Sequence, residues 1–303
     1  MNKVLIVSKS CSTGKGRQYI ADRLAAAGIE ATFGVLAEHR HDLGEYQGIV
    51  VGMDRFGPEE FALAPNLRFV MKFGVGTENI DSGAAARRGV RVRNMPGVNT
   101  DGVAEMAFAL MLSAARRIPE GDRQVRAGQW PRLVGRSLVG AALGLVGTGA
   151  IGRRLAELTA GFGMDIVGCD PFPNDAFIAL GGVYKPLEEL LDTADVISIH
   201  VPLTEETRHM IGAPQLARMK QGAILVNTAR GPVVNEEALR RALENKSIFA
   251  AGLDVFEAEP AAGSPITKLD NVVATPHIAA SSRETMKHMD ETCIDTIIRE
   301  LGP

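Results

Sequence analysis

The stretch that most limits what this chain can fold into is residues 143–152, LGLVGTGAIG. A short apolar run with Leu143, Leu145 and Val146 ends in Gly147, Gly149 and Gly152, and helical spacing takes over across 151–162. The glycines therefore fall where a strand turns sharply into a helix. Gly147 permits the tight turn, Gly149 lets the backbone approach a pyrophosphate, and Gly152 lets the helix pack on the sheet. The helix start offers unpaired N–H groups and partial positive charge to phosphates. Asp170 follows the next strand, at 166–169, where a carboxylate accepts hydrogen bonds from an adenosine ribose and repels a 2′-phosphate. Strand, turn, helix and acid together predict a dinucleotide site that takes NAD rather than NADP.

A chain of 303 residues has room for two domains, each with its own core. With 46% apolar and 23% charged residues it has ordinary globular composition. A formal charge of -3 and a pI near 6.1 give no electrostatic reason to bind nucleic acid or an anionic membrane, so a small-molecule partner is expected. Cys11, Cys169 and Cys293 are scattered without CxxC spacing, which indicates neither a disulfide framework nor a metal site and fits reduced, intracellular thiols. The opening MNKVLIVSKS reads as a first strand rather than a secretory signal. Residues 103–115 are interrupted by Glu105 and too short to span a membrane. A cytoplasmic protein is expected.

Up to residue 98, strands at 4–7, 49–51, 69–71 and 90–93 alternate with helices at 18–27 and 81–88, an α/β layout with a parallel sheet. Residues 9–17, KSCSTGKGR, imitate a phosphate loop. Lys9 stands where the first glycine belongs and Gly16 where Ser or Thr is needed, so a polar surface turn is expected. Residues 72–81, KFGVGTENID, place two glycines after a buried strand. Such a turn can bind a carboxylate through backbone N–H groups with Lys72 beside it, or simply connect strand to helix. Residues 99–128 read as one long helix with Val103, Met106, Ala107, Leu110, Met111 and Ala114 on its apolar side, joining two domains. Trp130 reads as a packing or interface residue. Strands at 166–169, 196–200, 224–226, 250–253 and 272–274 then alternate with helices near 176–180, 187–191 and 236–243. With the strand at 143–146 they make a six-stranded, doubly wound sheet. Residues 281–301 return to helix, and no further domain is expected.

Three charged side chains follow strands of this second half: Arg230 in NTARGP, Glu259 in DVFEAEP and His277 in TPHIAA. Ligands of open α/β sheets gather beyond the carboxyl ends of the strands, so all three point toward a cofactor crevice. Their chemistry suits reduction of a 2-oxo acid. Arg230 can grip carboxylate and carbonyl oxygen in a fork. His277, a residue type titrating near 6.5, can give a proton to that oxygen or take it back. A neighbouring carboxylate would favour the imidazolium, and both Glu257 and Glu259 compete for that place. Asp254 can accept from the nicotinamide carboxamide.

With these residues in hand, the chain resembles the D-isomer-specific 2-hydroxyacid dehydrogenase family, which includes phosphoglycerate, glycerate/hydroxypyruvate and formate dehydrogenases. The likeness runs from about Asn66 to Ala279 through KFGVGTENID, NTDGVAEMA, GLVGTGAIG, HVPLT, VNTARGPVVNEEAL, AGLDVFEAEP and TPHIAA. It implies a catalytic triad of Arg230, Glu259 and His277, with Glu257 a bystander. It implies cofactor contacts from Gly147, Gly149, Ala150, Ile151, Gly152 and Asp170, with His200, Val201, Pro202 and Thr207 bordering the adenosine and phosphates. Thr100, Ala229, Asp254 and Ala280 would line the nicotinamide side. Val75 and Gly76 would bind the substrate carboxylate through backbone N–H, beside Lys72.

The resemblance further implies two doubly wound parallel-sheet domains. The discontinuous, flavodoxin-like substrate domain would be 1–98 plus 279–303, and the Rossmann-like NAD domain 99–278. A homodimer formed through the NAD domains is usual in the family. The expected activity is hydride transfer between NAD and C2 of a small D-2-hydroxy or 2-oxo acid such as 3-phosphoglycerate, glycerate/hydroxypyruvate or glyoxylate. The alternative is an NAD(H)-sensing interaction protein of the corepressor type. Two departures bear on the substrate and cofactor. Ala150 removes one pyrophosphate contact, and the loop Gly52, Met53, Asp54, Arg55 lacks the basic side chain at the position where phosphoglycerate enzymes often place it near the substrate phosphate, which weakens a phosphorylated substrate and leaves Lys72, Arg55 or Arg132 as alternatives that could compensate. Glu259, where the formate subgroup has an amide, disfavours formate.

Overall fold

The computed structural model of the chain describes residues 1–8 and 14–302. They form two units, Met1–Asn99 with Ser281–Pro303, and Thr100–Ala280. The first unit runs β1 (Asn2–Ile6), α1 (Gly14–Ala26), β2 (Ile29–Phe33), β3 (Gly48–Val51), α2 (Pro58–Leu63), β4 (Phe69–Lys72), α3 (Ser82–Arg87) and β5 (Arg91–Arg93). Its five strands are all parallel in the order β2-β1-β3-β4-β5, the flavodoxin order. β3 and β4, GIVV and FVMK, are buried at every position, as interior parallel strands covered on both faces must be. β2 is an edge strand in which Glu30 and Thr32 alternate with apolar residues. Edge position excuses it from a continuous apolar run, so its sequence carries no clear strand signal.

The second unit runs α4 (Thr100–Ala115), α5 (Ile118–Arg126), β6 (Ala142–Val146), α6 (Ala150–Thr159), β7 (Asp165–Cys169), α7 (Asp175–Ala179) and β8 (Val183–Tyr184). It continues through α8 (Leu187–Thr193), β9 (Val196–Ile199), α9 (Ala213–Arg218), β10 (Ile224–Asn227), α10 (Glu236–Glu244), β11 (Ala250–Leu253) and β12 (Val272–Ala274). Seven parallel strands lie in the order β12-β11-β10-β9-β6-β7-β8, one more than expected because β8 is only two residues long. The direction of winding reverses between β6 and β9, the switch point at which such sheets bind ligands.

The helix expected over 99–128 is two helices. Pro119 has no N–H to give the carbonyl four residues back, that of Ala115. Arg136 N–H takes that carbonyl instead, at 2.7 Å, and Arg117 turns through the left-handed region at φ +53°. Apolar spacing persists across the break and hides it. α4 then packs on α6 and across β10 and β11.

α11 (Arg283–Leu301) belongs to the first unit, where it lies on α1. Its buried Glu300 receives Arg91 at 2.6 Å and Arg93 at 2.7 Å. Burial alone would raise this carboxyl, but the two guanidiniums reverse that and hold it below the usual range. Among the described residues no helix is long and apolar enough to cross a membrane, and no cluster of three or more His, Cys, Asp or Glu can hold a metal. Most of the segment 9–17 lies outside the described residues.

Candidate active site

Sheet register decides what meets at the rim of the second unit. Cys169 pairs with Val146, Val146 with Ile199, Ile199 with Asn227, Asn227 with Leu253, and Leu253 with Ala274. Six strands thus end level. The residues that follow them, Asp170, Gly147, His200, Thr228, Asp254 and Thr275, leave the sheet along one line, although more than a hundred positions separate the first from the last.

At the centre of that line the chain turns at Gly147, φ +98°. A Cβ there would stand 2.8 Å from the carbonyl of His200, and one at Gly152 would stand 2.3 Å from the Gly147 oxygen, so neither position accepts a side chain. Gly149 and Ala150 are exposed at the start of α6, whose first turn has neither a side-chain cap nor an acidic residue. Its N–H groups remain available to an anion, which is what a pyrophosphate requires. Asp170 is held in place: Oδ2 accepts from Thr148 N–H at 2.7 Å, and Oδ1 from Phe172 N–H at 2.9 Å. Thr148 Oγ1 is in turn fixed by Tyr184 Oη at 2.8 Å. The cradle fits a dinucleotide diphosphate with a ribose beyond it, and the carboxylate disfavours a 2′-phosphate. His200 bonds Ser198 Oγ at 2.9 Å, and burial lowers its protonation to about 4. The ring is therefore neutral at physiological pH and offers no cation to phosphates. Beyond Val201, Thr207 donates to the Pro202 carbonyl at 2.7 Å and shapes the loop.

Farther along the rim, His277 Nδ1 lies 2.8 Å from Glu259 Oε2. Glu259 Oε1 accepts from Phe256 N–H at 3.1 Å. Burial pushes the Glu259 carboxyl upward, but the His277 hydrogen bond and charge, the Phe256 N–H and the Arg230 charge together hold it below the usual range. A cation from β10's loop thus acts on the same carboxylate as the imidazole. Glu257 faces elsewhere, with His209 Nε2 at 2.8 Å from its Oε1.

His277 occupies the left-handed region at φ +54°, a conformation that surrounding structure must impose. Asp254 imposes it. Its fully buried carboxylate accepts Thr275 Oγ1 at 2.6 Å, Ile278 N–H at 2.9 Å and Ala279 N–H at 2.9 Å, while its carbonyl accepts His277 N–H at 2.9 Å. Three of the roughly four lone-pair directions of the carboxylate are thereby used, leaving about one for the carboxamide contact expected of it. Buried Asn227 does comparable work for Arg230: Nδ2 donates to the Arg230 carbonyl at 2.9 Å and Oδ1 accepts from Ala229 N–H at 3.0 Å. Thr148, Tyr184, Asn227 and Thr275 were not singled out from sequence. The available signal was a polar residue at a strand's last position or directly beyond it, which Asn227 and Thr275 share.

In the first unit, Lys72 is buried, and its Nζ donates to the Gly52 carbonyl at 2.5 Å and Asn79 Oδ1 at 3.1 Å. Asn79 also donates to the Gly52 and Asp54 carbonyls. Lys72 therefore organises the 52–55 loop, a role that nothing in its local sequence signals. Val75 and Gly76 follow Gly74, at φ +140°, and no described residue accepts their N–H groups. That leaves two adjacent donors for a carboxylate. Thr100 opens α4, and Ala229 and Ala280 are partly exposed beyond β10 and at the end of the second unit.

A doubly wound sheet with this cradle at its switch point, Asp170 beside it and a histidine–carboxylate pair on the same rim defines an NAD-dependent oxidoreductase. The chain belongs to the D-isomer specific 2-hydroxyacid dehydrogenases: the family's NAD binding domain matches residues 108–279. A glyoxylate reductase of Korarchaeum cryptofilum is 48% identical over 253 residues, covering 81% of this chain and 76% of that one. A hydroxypyruvate reductase of Thermotoga maritima is 42% identical over 242 residues, covering 78% of each. The crystal structure of D-lactate dehydrogenase from Aquifex aeolicus, complexed with NAD and lactic acid, superposes with a TM-score of 0.87 at 29% identity, over 98% of this chain and 94% of that one.

Proposed function

We propose that the chain reduces a small, unphosphorylated 2-oxo acid of the glyoxylate or hydroxypyruvate type to the D-2-hydroxy acid, with His277 as proton donor, Glu259 as its partner and Arg230 as the carboxylate clamp. The observation that carries this reading is the 2.8 Å contact between His277 and Glu259 on the rim that holds the dinucleotide cradle. The relatives named for these two substrates support the choice, as does the uncharged Gly52–Met53 opening of the 52–55 loop.

Bound NAD(H) supplies or accepts the hydride at the substrate's C2. Gly147, Gly149, Ala150, Ile151 and Gly152 hold its diphosphate, Asp170 its adenosine ribose, and residues 200–202 with Thr207 border it. Thr100, Ala229, Asp254 and Ala280 line the nicotinamide side. The planar guanidinium of Arg230 orients carboxylate and carbonyl oxygen together. His277, kept in orientation by Glu259 on Nδ1, gives its Nε2 proton to the carbonyl oxygen in reduction and recovers it in oxidation. Within the unit of 1–99 with 281–303, the Val75 and Gly76 N–H groups are donors suited to a carboxylate, and the unit of 100–280 is the cofactor domain. The enzyme works in the cytoplasm as a homodimer. The exposed apolar side chains Ile118, Val125, Trp130, Val134 and Val139 in and after α5 supply its contact surface, and sedimentation of the purified chain checks it.

The test is NADH oxidation with glyoxylate, hydroxypyruvate and phosphohydroxypyruvate, run on the wild type and His277→Ala. The first two substrates should outrun the third, and the variant should lose about 10²- to 10⁴-fold in kcat with NADH affinity retained. Near-normal turnover in His277→Ala sinks the assignment, and preference for phosphohydroxypyruvate sinks the substrate choice.

A further inference from the structure

A second histidine–carboxylate pair lies behind the first. Glu257 Oε1 accepts both His209 Nε2 at 2.8 Å and the Glu236 N–H at 3.0 Å, and Glu257 N–H donates back to Glu236 Oε2 at 3.0 Å. Glu236 Oε1 accepts from Ser264 Oγ at 2.7 Å. The first residue of α10 thus grips the 257–264 loop at both ends, with Glu259 inside the span.

His209 connects this grip to Arg230. Its N–H donates to the Pro232 carbonyl at 2.8 Å, and Ile211 and Asn235 continue the pairing between the two segments. Gly231 presses on the residues leading into the same loop: a Cβ there would come within 1.9 Å of the Phe256 carbonyl carbon and 2.6 Å of Glu257 N, so the backbone next to Arg230 packs directly on the 256–257 peptide, two residues before Glu259. Asn235 faces the other edge of the ring. Its Oδ1 is committed to Ala238 N–H at 2.8 Å, which turns Nδ2 toward His209 Nδ1, 3.5 Å away. Nδ1 is then the accepting side and Nε2–H donates to Glu257. Like His277, His209 sits at φ +54°, a conformation that these contacts hold.

We propose that His209 and Glu257 are positioning residues for the dehydrogenase, bracing the 257–264 loop so that the Glu259 carboxylate stays on His277 while Arg230 keeps its place beside it. The proposal rests on the reading of Glu259 and His277 as the catalytic pair. Neither His209 nor Glu257 needs to touch substrate or cofactor, and both are partly exposed, so the effect is one of geometry rather than of charge.

The test compares His209→Ala, His209→Gln and Glu257→Ala with wild type for kcat, KM, NADH affinity, melting temperature and the pH profile of kcat/KM for 2-oxo acid reduction. Each alanine variant should lose about three- to tenfold in kcat at unchanged NADH affinity, and the double variant should be no worse than the poorer single one, because the pair acts as a unit. The alkaline limb of reduction should move to lower pH, since a carboxylate that drifts from an imidazole favours its charged form less. His209→Gln, which keeps an N–H donor at the Nε2 position, should restore most of the loss. A loss that follows melting temperature alone, an unmoved pH profile, or His209→Gln as poor as His209→Ala overturns the proposal. If Glu259→Gln and His277→Ala are themselves near normal, the catalytic reading has failed; if they are crippled while His209 and Glu257 variants are not, only the brace has.

Discussion

Glu257 and Glu259 stand two residues apart on one loop, and each meets a histidine at φ +54° with 2.8 Å between them. The two pairs are nevertheless supported differently. His277 is posed by Asp254, a buried carboxylate with three donors, and its partner Glu259 feels the Arg230 charge. His209 is posed by backbone contacts and the edge of an asparagine, and its partner binds the start of a surface helix. An identical pair of side chains becomes a candidate proton donor in one place and a brace in the other. The difference lies in the buried anchor beneath the first and in the cation beside it, both delivered by the sheet rim.

Removing the anchor should break the contrast most severely. Asp254→Ala strands a hydroxyl and two N–H groups in the interior at about 1–3 kcal/mol each, so a stability loss of about 4 kcal/mol or more is expected. Chemical denaturation measures it, and a loss below about 1 kcal/mol would mean that the turn holds itself. Glu236→Ala, the corresponding change behind the second pair, should cost only about 1 kcal/mol because its partners can turn to water.

A smaller effect is expected from Glu259→Gln, which keeps the shape of the first pair and removes its charge. It should lower kcat/KM for reduction by about 10²-fold, near 2.7 kcal/mol. An unchanged value would place Glu259 level with Glu257, and the contrast between the pairs would vanish.

His200 sharpens the comparison from the opposite side, because its ring meets a serine hydroxyl instead of a carboxylate. Its folded-state protonation near 4 lies below the ordinary 6.5, so the unfolded chain binds the extra proton between these values. Stability is then intact above pH 6.5 and falls as pH drops toward 4. The loss is up to about 2 kcal/mol at pH 5, trimmed by the part of the residue that still meets solvent. His200→Gln should flatten that slope in thermal melts, and an equal slope in the variant would assign the acid sensitivity to other groups.

Much of this arrangement is legible in the chain itself. Glycine spacing at 147, 149 and 152, the alternation of apolar runs with helical patterns, and charged residues after strands are local signals, carried by backbone conformation and burial period. Local signals faded where elements were short or sat at an edge, as with β2, β8, α2 and α9, whose residues bury little continuous surface. They misled where apolar spacing ran across Pro119 and disguised two helices as one.

The amino-acid order by itself determined the class of fold, the glycine turn at the switch point and the charged side chains that follow the strands, because each is written within a few neighbouring residues. The residue types alone left Glu257 and Glu259 both open as partners of His277, and the family resemblance pointed to Glu259; only the tertiary structure showed that Glu257 turns to His209 instead, that Asp254 poses the histidine and that Lys72 holds a loop. Those partnerships join segments about 20 or more positions apart, and it is the level register of six parallel strands, together with the loops beyond β4, that sets their distances.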